Sequence, residues 1–235
     1  MPAPSDQPLI SAKGLTRIYP LGSGEVVGVA DIDLAVPSGH LVVLKGNSGS
    51  GKSTLLGLIG GLDQPTRGEL VVAGHPLQKA SPSELIRYRR EVVGMVFQSF
   101  NLLPTLSVME NVCVPALMAG KPFEETRRRA LKWLEWLDLV QRLNHYPSQL
   151  SGGEMQRTAV VRALINEPAI ILADEPTGNL DSRNGEAVMR LLADLNRQFG
   201  RTVIIATHSS LADRWATLYL TLKDGKITRS GKSEI

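Results

Sequence analysis

The chain contains one cysteine, Cys113, so no intrachain disulfide can form, and a reducing compartment is the natural setting. No apolar run approaches the roughly 18 residues of a membrane-spanning helix, so nothing in the chain is expected to cross a bilayer. The N-terminus, Met1-Pro2-Ala3-Pro4-Ser5-Asp6, has neither the basic start nor the apolar stretch of a secretory signal. A formal net charge of +3 is too small to point to nucleic acid, and no such partner is expected. Aromatic residues make up only 5%. None of them lines a basic groove beside the run Arg127-Arg128-Arg129, which is therefore read as a solvated helix face. Internal repeats and low-complexity tracts are absent too. What remains, 43% hydrophobic and 21% charged residues, is the make-up of a globular protein with one elaborate domain or a core with a subdomain.

The most informative stretch is Gly46-Asn47-Ser48-Gly49-Ser50-Gly51-Lys52-Ser53, followed by Thr54, which fits the phosphate-binding pattern G-x-x-x-x-G-K-[ST]. The apolar run Leu41 to Leu44 before it reads as a buried strand, and Thr54 to Leu62 after it as a helix. In that setting the glycines let backbone N–H groups turn inward, and the helix's positive end joins them in holding phosphate oxygens. Lys52 can reach the β- and γ-phosphates, and the Ser53 hydroxyl can ligate Mg²⁺. The chain is expected to bind a nucleotide.

Around this loop the pattern alternates. Leu9 to Leu15 and Glu25 to Val36 read as antiparallel strands separated by the turn Gly22-Ser23-Gly24, with residues 1–8 a loose lead-in. Glu69 to Val72, Val92 to Phe97, Ile170 to Ala173 and Thr202 to Ala206 are further strands, and Leu218 to Leu222 with Lys226 to Thr228 form a hairpin around Asp224-Gly225. Ser83 to Arg90, Ser107 to Met118, Glu124 to Val140 and Gly185 to Arg197 read as helices. In the third of these, Ala130, Leu131, Leu134, Leu137 and Val140 recur at helical spacing, with Trp133 and Trp136 packing in the core or against a partner. Strands alternating with helices imply an α/β protein with a mostly parallel sheet, and the strand-free stretch from about 99 to 157 reads as a helical insertion.

Asp174 and Glu175 follow the 170–173 strand directly, where a parallel sheet presents its strand ends to ligand. Asp174 suits Mg²⁺ coordination, and Glu175 suits polarising the water that attacks a γ-phosphate. Gln98 and His208 lie just beyond two other strand ends, Gln98 within reach of Mg²⁺ or the attacking water and His208 of the γ-phosphate. Ser151-Gly152-Gly153 before a helix forms a second anion-binding helix N-terminus.

Tyr19, the 46–53 loop, Gln98, Leu150-Ser151-Gly152-Gly153-Glu154-Met155-Gln156-Arg157, Ile171 to Pro176, Asn179-Leu180-Asp181 and His208 occur in this order. Over about residues 9–230 the chain thereby resembles the nucleotide-binding subunit of an ATP-binding-cassette (ABC) transporter, with Leu150 to Glu154 as the signature. The resemblance implies a P-loop NTPase (RecA-like) core with an N-terminal antiparallel β subdomain and an α-helical insertion carrying the signature. It implies one unit over 9–235, with core and β subdomain over about 9–98 and 158–235 and the helical subdomain over about 99–157. It also implies ATP and Mg²⁺ as cofactors and a head-to-tail, ATP-dependent homodimer with two ATPs sandwiched between one copy's phosphate loop and the other's signature. Tyr19 would stack on adenine, and Ser151, Gly152, Gly153 and Glu154 would belong to the opposite copy's ATP site. Glu175 would be the catalytic base, His208 the switch histidine, Asp181 a cross-dimer contact, and Gln98 the link from site to helical insertion.

Without membrane helices, such a subunit needs a separate integral-membrane permease and sits in the cytoplasm at the inner face of the cytoplasmic membrane. Phe100 to Pro104 and Val108 to Met118 form the expected dock. Residues 96–112 and 173–181 resemble the group that includes lipoprotein-release, macrolide-efflux and cell-division ATPases, whose permeases carry a large extracytoplasmic domain. The lipoprotein-release type has histidines shortly after the Gln98 position, where this chain has Ser99, Phe100 and Asn101. A soluble ABC-type ATPase of translation or DNA repair is the alternative.

Overall fold

A computed structural model of the chain describes residues 8–22 and 24–232. Residues 1–7 of the expected lead-in, Ser23 of the expected turn and residues 233–235 lie outside the described residues. Strands β1 (Ile10–Leu21), β2 (Gly24–Val36), β4 (Arg67–Val72) and β5 (His75–Pro76) form an antiparallel sheet in the order β2-β1-β4-β5. Strands β3 (Leu41–Lys45), β6 (Val93–Phe97), β7 (Ile170–Asp174), β8 (Thr202–Ala206), β9 (Leu218–Lys223) and β10 (Lys226–Lys232) form a second sheet in the order β10-β9-β3-β8-β7-β6. Only the β9–β10 pair in it is antiparallel. The helices are α1 (Lys52–Ile59), α2 (Pro82–Glu91), α3 (Val108–Met118), α4 (Phe123–Trp136), α5 (Gly152–Leu164) and α6 (Ser182–Phe199).

The second sheet separates two cores, because successive strand residues point to opposite faces. On one face Val43, Ile171, Val203 and Ile205 pack with α3 to α6, through residues such as Val112, Leu134, Val160 and Leu192. On the other, Val42, Leu44, Leu172 and Ile204 pack with Leu55, Leu58 and Ile59 of α1 and with Ile10, Leu15, Val29 and Ile32 of the antiparallel sheet. The register aligns the C-terminal ends: Leu44 and Asp174 both pair with Ala206, and Phe97 pairs with Asp174. Everything that follows these strands therefore emerges at one edge.

Several boundaries differ from the sequence reading. β1 runs to Leu21 rather than Leu15, because register shifts after Ala12, Leu15 and Arg17 break the alternation that marks a strand. α1 stops at Ile59, since Gly60 caps it and Gly61 turns left-handed at φ 62. α4 ends at Trp136 instead of Val140: Asp138 adopts φ 54, and Val140 opens a separate 3-10 turn, exposed. Of the Arg127–Arg129 run only the first two are solvated, as Arg129 donates to the Ile165 carbonyl at 3.2 Å and pairs with Glu125. Trp133 and Trp136 pack on Phe199 at the end of α6, with ring centroids 5.1 and 5.3 Å from it. Among the described residues no helix is long and apolar enough to cross a membrane.

Candidate nucleotide site

The phosphate loop joins β3 to α1 at the aligned strand ends. Gly51 has φ 102 and Gly46 φ 153, and a Cβ on either would fall within 2.5 Å of a backbone or side-chain oxygen, so the loop closes tightly only with glycine there. Lys52, its side chain 8% exposed, donates from Nζ to the carbonyls of Gly46 (2.8 Å) and Asn47 (3.1 Å) and lies 3.9 Å from Glu175 Oε1. Its ammonium is thus parked across the mouth of the loop, one short swing from any phosphate held there. The loop opens into a cleft of about 760 Å³ lined by Tyr19, Val26, Val27, Gly28, residues of the 47–54 stretch, Gln98, Glu175 and His208. That is the volume and lining a nucleoside triphosphate needs: an aromatic face at one end and a helix N-terminus with a lysine at the other.

Beneath the loop, Ser53, Gln98, Asp174 and Glu175 border a smaller hollow of about 240 Å³. Burial pushes the Asp174 carboxyl up, against a lowering hydrogen bond from Ser53, and its Oδ1 is buried with no hydrogen-bond partner. An orphaned carboxylate oxygen beside a hydroxyl fits Mg²⁺, a hard cation that takes few protein oxygens and completes its shell with water and phosphate. Ser53 and Asp174 would hold it directly or through water. No cluster of three or more His, Cys, Asp or Glu side chains suited to a metal occurs among the described residues.

Glu175 sits at φ 44, a backbone region where a bulky side chain is strained and which is frequent at functional sites. Its N–H donates to the Ala206 carbonyl at 2.8 Å, so the tip of β8 holds the turn. The carboxylate, 18% exposed, accepts from Thr207 Oγ1 at 3.0 Å on one oxygen and lies 3.0 Å from His208 Nδ1 on the other. Gln98 faces the same space, its amide 3.3 Å from Asn179 Oδ1 and backed by Gly178, where a Cβ would come within 2.6 Å of the amide nitrogen.

The structure brings Tyr19, the 46–54 stretch, Gln98, Asp174, Glu175 and His208 together, but not the signature. Ser151, Gly152, Gly153, Glu154 and Asp181 line neither hollow. Ser151 caps α5, exchanging hydrogen bonds with Glu154: its Oγ accepts from the Glu154 N–H at 3.3 Å, and its own N–H donates to Glu154 Oε2 at 2.8 Å. A hydrogen bond from Arg142 at 2.7 Å, with those from Ser151, pulls the Glu154 carboxyl down to about 2. Gly152 packs on Leu180 and Gly153 on Asn184, where a Cβ would come within 2.3 Å of the amide oxygen. Asp181 caps α6, accepting from the Asn184 N–H at 2.9 Å. The α5 and α6 N-termini thus lie side by side. From α5, the buried Gln156 donates to the Pro176 carbonyl at 2.7 Å, joining the signature helix to the turn after Glu175.

Sequence reasoning passed over Thr207 and Gly28, and gave Gln156 no role beyond its place in the signature stretch. Gly28 brings β2 so near Thr54 and Tyr19 that a Cβ would lie 2.8 Å from each. Nothing local marks Thr207 or Gly28, and each of the three matters through a neighbour distant in the chain.

A profile described as ABC transporter matches residues 29–178. The macrolide export ATP-binding/permease protein MacB of Wolinella succinogenes is 46% identical over 222 residues, 94% of this chain but 34% of that protein's length. The uncharacterized ABC transporter ATP-binding protein MJ0796 of Methanocaldococcus jannaschii is 43% identical over 231 residues, 95% of this chain and 97% of that protein. The chain therefore spans about a third of the MacB relatives it matches and nearly all of MJ0796. A dimeric structure of MJ0796 in a post-hydrolysis state, bound to ADP and Pi, superposes with a TM-score of 0.88 at 41% identity and covers 95% of this chain and 98% of that one. The chain belongs to the ABC transporter family, as an ATP-binding cassette ATPase with the α/β P-loop NTPase fold.

Proposed function

We propose that this member of the ABC transporter family closes head to tail on a second copy of itself around two ATPs and passes that closure to an integral-membrane permease. The observation that carries this reading is the separation of its two anion sites: the signature N-terminus lines no part of the cleft that the phosphate loop opens. A second copy, turned by a twofold rotation, lets Ser151, Gly152 and Gly153 of one chain meet the γ-phosphate in the other's loop, with Asp181 crossing at the same seam. ATP then favours the closed dimer by its differential affinity for it, and loss of the γ-phosphate releases it.

Within each site Tyr19 stacks on the adenine, and Lys52 leaves the Gly46 and Asn47 carbonyls for the β- and γ-phosphates. Ser53 and Asp174, with Gln98 nearby, would hold Mg²⁺, which would supply positive charge against the phosphates. Glu175, fixed by Thr207, takes the proton of the attacking water, and His208 donates a hydrogen bond to the γ-phosphate.

Docking of the permease is supported by a groove of about 300 Å³ between β6 and helices α3 and α5, bordered by Arg89, Arg90, Asn101, Pro115, Arg162 and Asn166. Arg90 Nε and Asn166 Oδ1 are buried there without hydrogen-bond partners, an unused donor and acceptor. Arg162 donates to the Phe100 and Asn101 carbonyls, so movement in the segment after Gln98 reaches the groove. Of the expected dock, Leu103, Leu117 and Met118 are exposed, whereas Val108, Met109, Val112, Cys113 and Ala116 belong to the chain's own core. The likeness to the macrolide export ATP-binding/permease proteins favours the lipoprotein-release and macrolide-efflux branch. On that reading the permease bears a large extracytoplasmic domain and the cassette sits at the inner face of the cytoplasmic membrane.

The test is an ATP-dependent pull-down from native membranes with tagged Glu175→Gln, followed by mass spectrometry. A co-purified permease with a large extracytoplasmic domain supports the reading. A many-helix permease with a solute-binding protein moves it to import, and ribosomal or DNA-repair proteins alone would overturn the membrane role.

A further inference from the structure

Behind the Tyr19 ring lies an ion pair that the phosphate chemistry does not use. Arg17 and Asp63 form a two-pronged bridge, Nε to Oδ2 and Nη2 to Oδ1, each 2.8 Å, with the side chains 26% and 27% exposed. The Tyr19 hydroxyl donates to the same Asp63 Oδ2 at 2.8 Å. The Arg17 guanidinium carbon also stands 4.6 Å from the Tyr19 ring centroid, over its face. Tyr19 lines the nucleotide cleft and Arg17 does not, so the cation covers the rear of the ring and leaves the other face to the cleft. Arg17 and Tyr19 share a face of β1 as residues i and i+2, and a register shift between Arg17 and Ile18 re-aims the strand there. Gly28 closes the ring's edge.

We infer that Arg17 and Asp63 are positioning residues for base recognition: they lock the Tyr19 ring in its stacking orientation before nucleotide arrives and fix it relative to the phosphate-binding helix. The second half rests on the place of Asp63, which follows the C-terminal turn of α1 and donates its N–H to the Gly57 carbonyl at 3.4 Å. α1 therefore presents its N-terminus to the phosphates and, through Asp63, holds the base platform from its other end. The distance between base and phosphate subsites is set by one rigid element. A ring already ordered forfeits no rotamer freedom on binding, and a bidentate Arg–carboxylate pair fixes both partners in direction as well as distance. The inference rests on the proposed stacking role of Tyr19 and adds to it the two residues that make the ring a fixed surface.

The test compares ATP with inorganic tripolyphosphate, which offers the same phosphates and no base, by titration calorimetry alongside steady-state ATPase. Arg17→Leu and Asp63→Asn are each expected to weaken ATP and raise its KM about five- to tenfold with kcat at saturation unchanged, and to leave tripolyphosphate affinity unchanged. The double variant should lose no more than either single one, since the pair acts as a unit. Tyr19→Phe, which removes only the hydroxyl and keeps the ring, should show a two- to threefold loss (roughly, for one hydrogen bond) and serves if the charge variants fold poorly. Unchanged ATP affinity in all three, or a parallel fall for tripolyphosphate, would overturn the inference. A parent chain that binds tripolyphosphate as tightly as ATP would instead overturn the stacking role of Tyr19 itself.

Discussion

Thr207 donates its hydroxyl hydrogen to Oε2 of Glu175 at 3.0 Å, from a side chain with no exposed surface, while the Glu175 backbone N–H is held by Ala206 one residue earlier. Two successive residues at the tip of β8 thus fix both the main chain and the carboxylate of the residue read as the general base. A base aimed by a neighbour that is itself locked in the core spends nothing on orienting itself during the reaction.

Thr207→Val keeps the volume and removes that donor. It is expected to lower kcat about five- to tenfold, the worth of about one hydrogen bond in the transition state, with KM for ATP little changed. Steady-state ATPase assays check it; a KM effect with intact kcat would place Thr207 in binding instead.

Lys52→Ala removes the ammonium now resting on the Gly46 and Asn47 carbonyls. A charge-assisted contact to phosphate is worth about 2–3 kcal/mol, so ATP affinity should fall roughly 30- to 150-fold and hydrolysis with it. The thermal shift that Mg-ATP gives the parent chain should nearly vanish at the same ATP concentration.

The Glu154 carboxyl, held at about 2 by Arg142 and Ser151 against an ordinary 4.5, contributes stability that is complete above pH 4.5. That contribution is lost as pH falls from 4.5 through about 2, because the unfolded chain takes up the proton first. Glu154→Gln keeps the cap's shape without the charge. Its melting temperature should lie below the parent's at neutral pH and converge with it across that acid window. A gap that stays constant with pH would contradict the assignment.

Asp174 carries the opposite sign, since burial pushes its carboxyl up and the ionised form opposes folding while no cation is present. Asp174→Asn should therefore melt higher than the parent in a chelator and lose the extra stabilisation that Mg²⁺ gives over ATP alone. Differential scanning calorimetry with and without Mg²⁺ reads both effects.

How much of this was legible depended on whether the signal was local. Leu41 to Leu44, Ile170 to Ala173 and Thr202 to Ala206 are strands buried on both faces, so each appears as a continuous apolar run and needs no context. The phosphate loop is legible because its glycines, lysine and serine must be contiguous to wrap one phosphate. β1 was cut short because its bulges put Leu15 and Arg17 out of phase with the partner strand. The end of α4 carried no glycine or proline; Asp138 turns the chain left-handed where sequence offers only an ordinary acid. Thr207 acquires meaning only when Glu175, 32 residues earlier, reaches it, and Arg17 only when it meets Asp63, 46 residues later. Such roles are made by the fold and have no pattern of their own.

The most direct test of the central claim is the mass of the purified Glu175→Gln variant by light scattering, with saturating Mg-ATP and with Mg-ADP. That variant should bind ATP, turn over at least about a hundredfold more slowly than the parent, and run as a dimer in Mg-ATP but a monomer in Mg-ADP. A monomer in both nucleotides, with ATP bound, would contradict the account that the signature of one copy completes the site of the other.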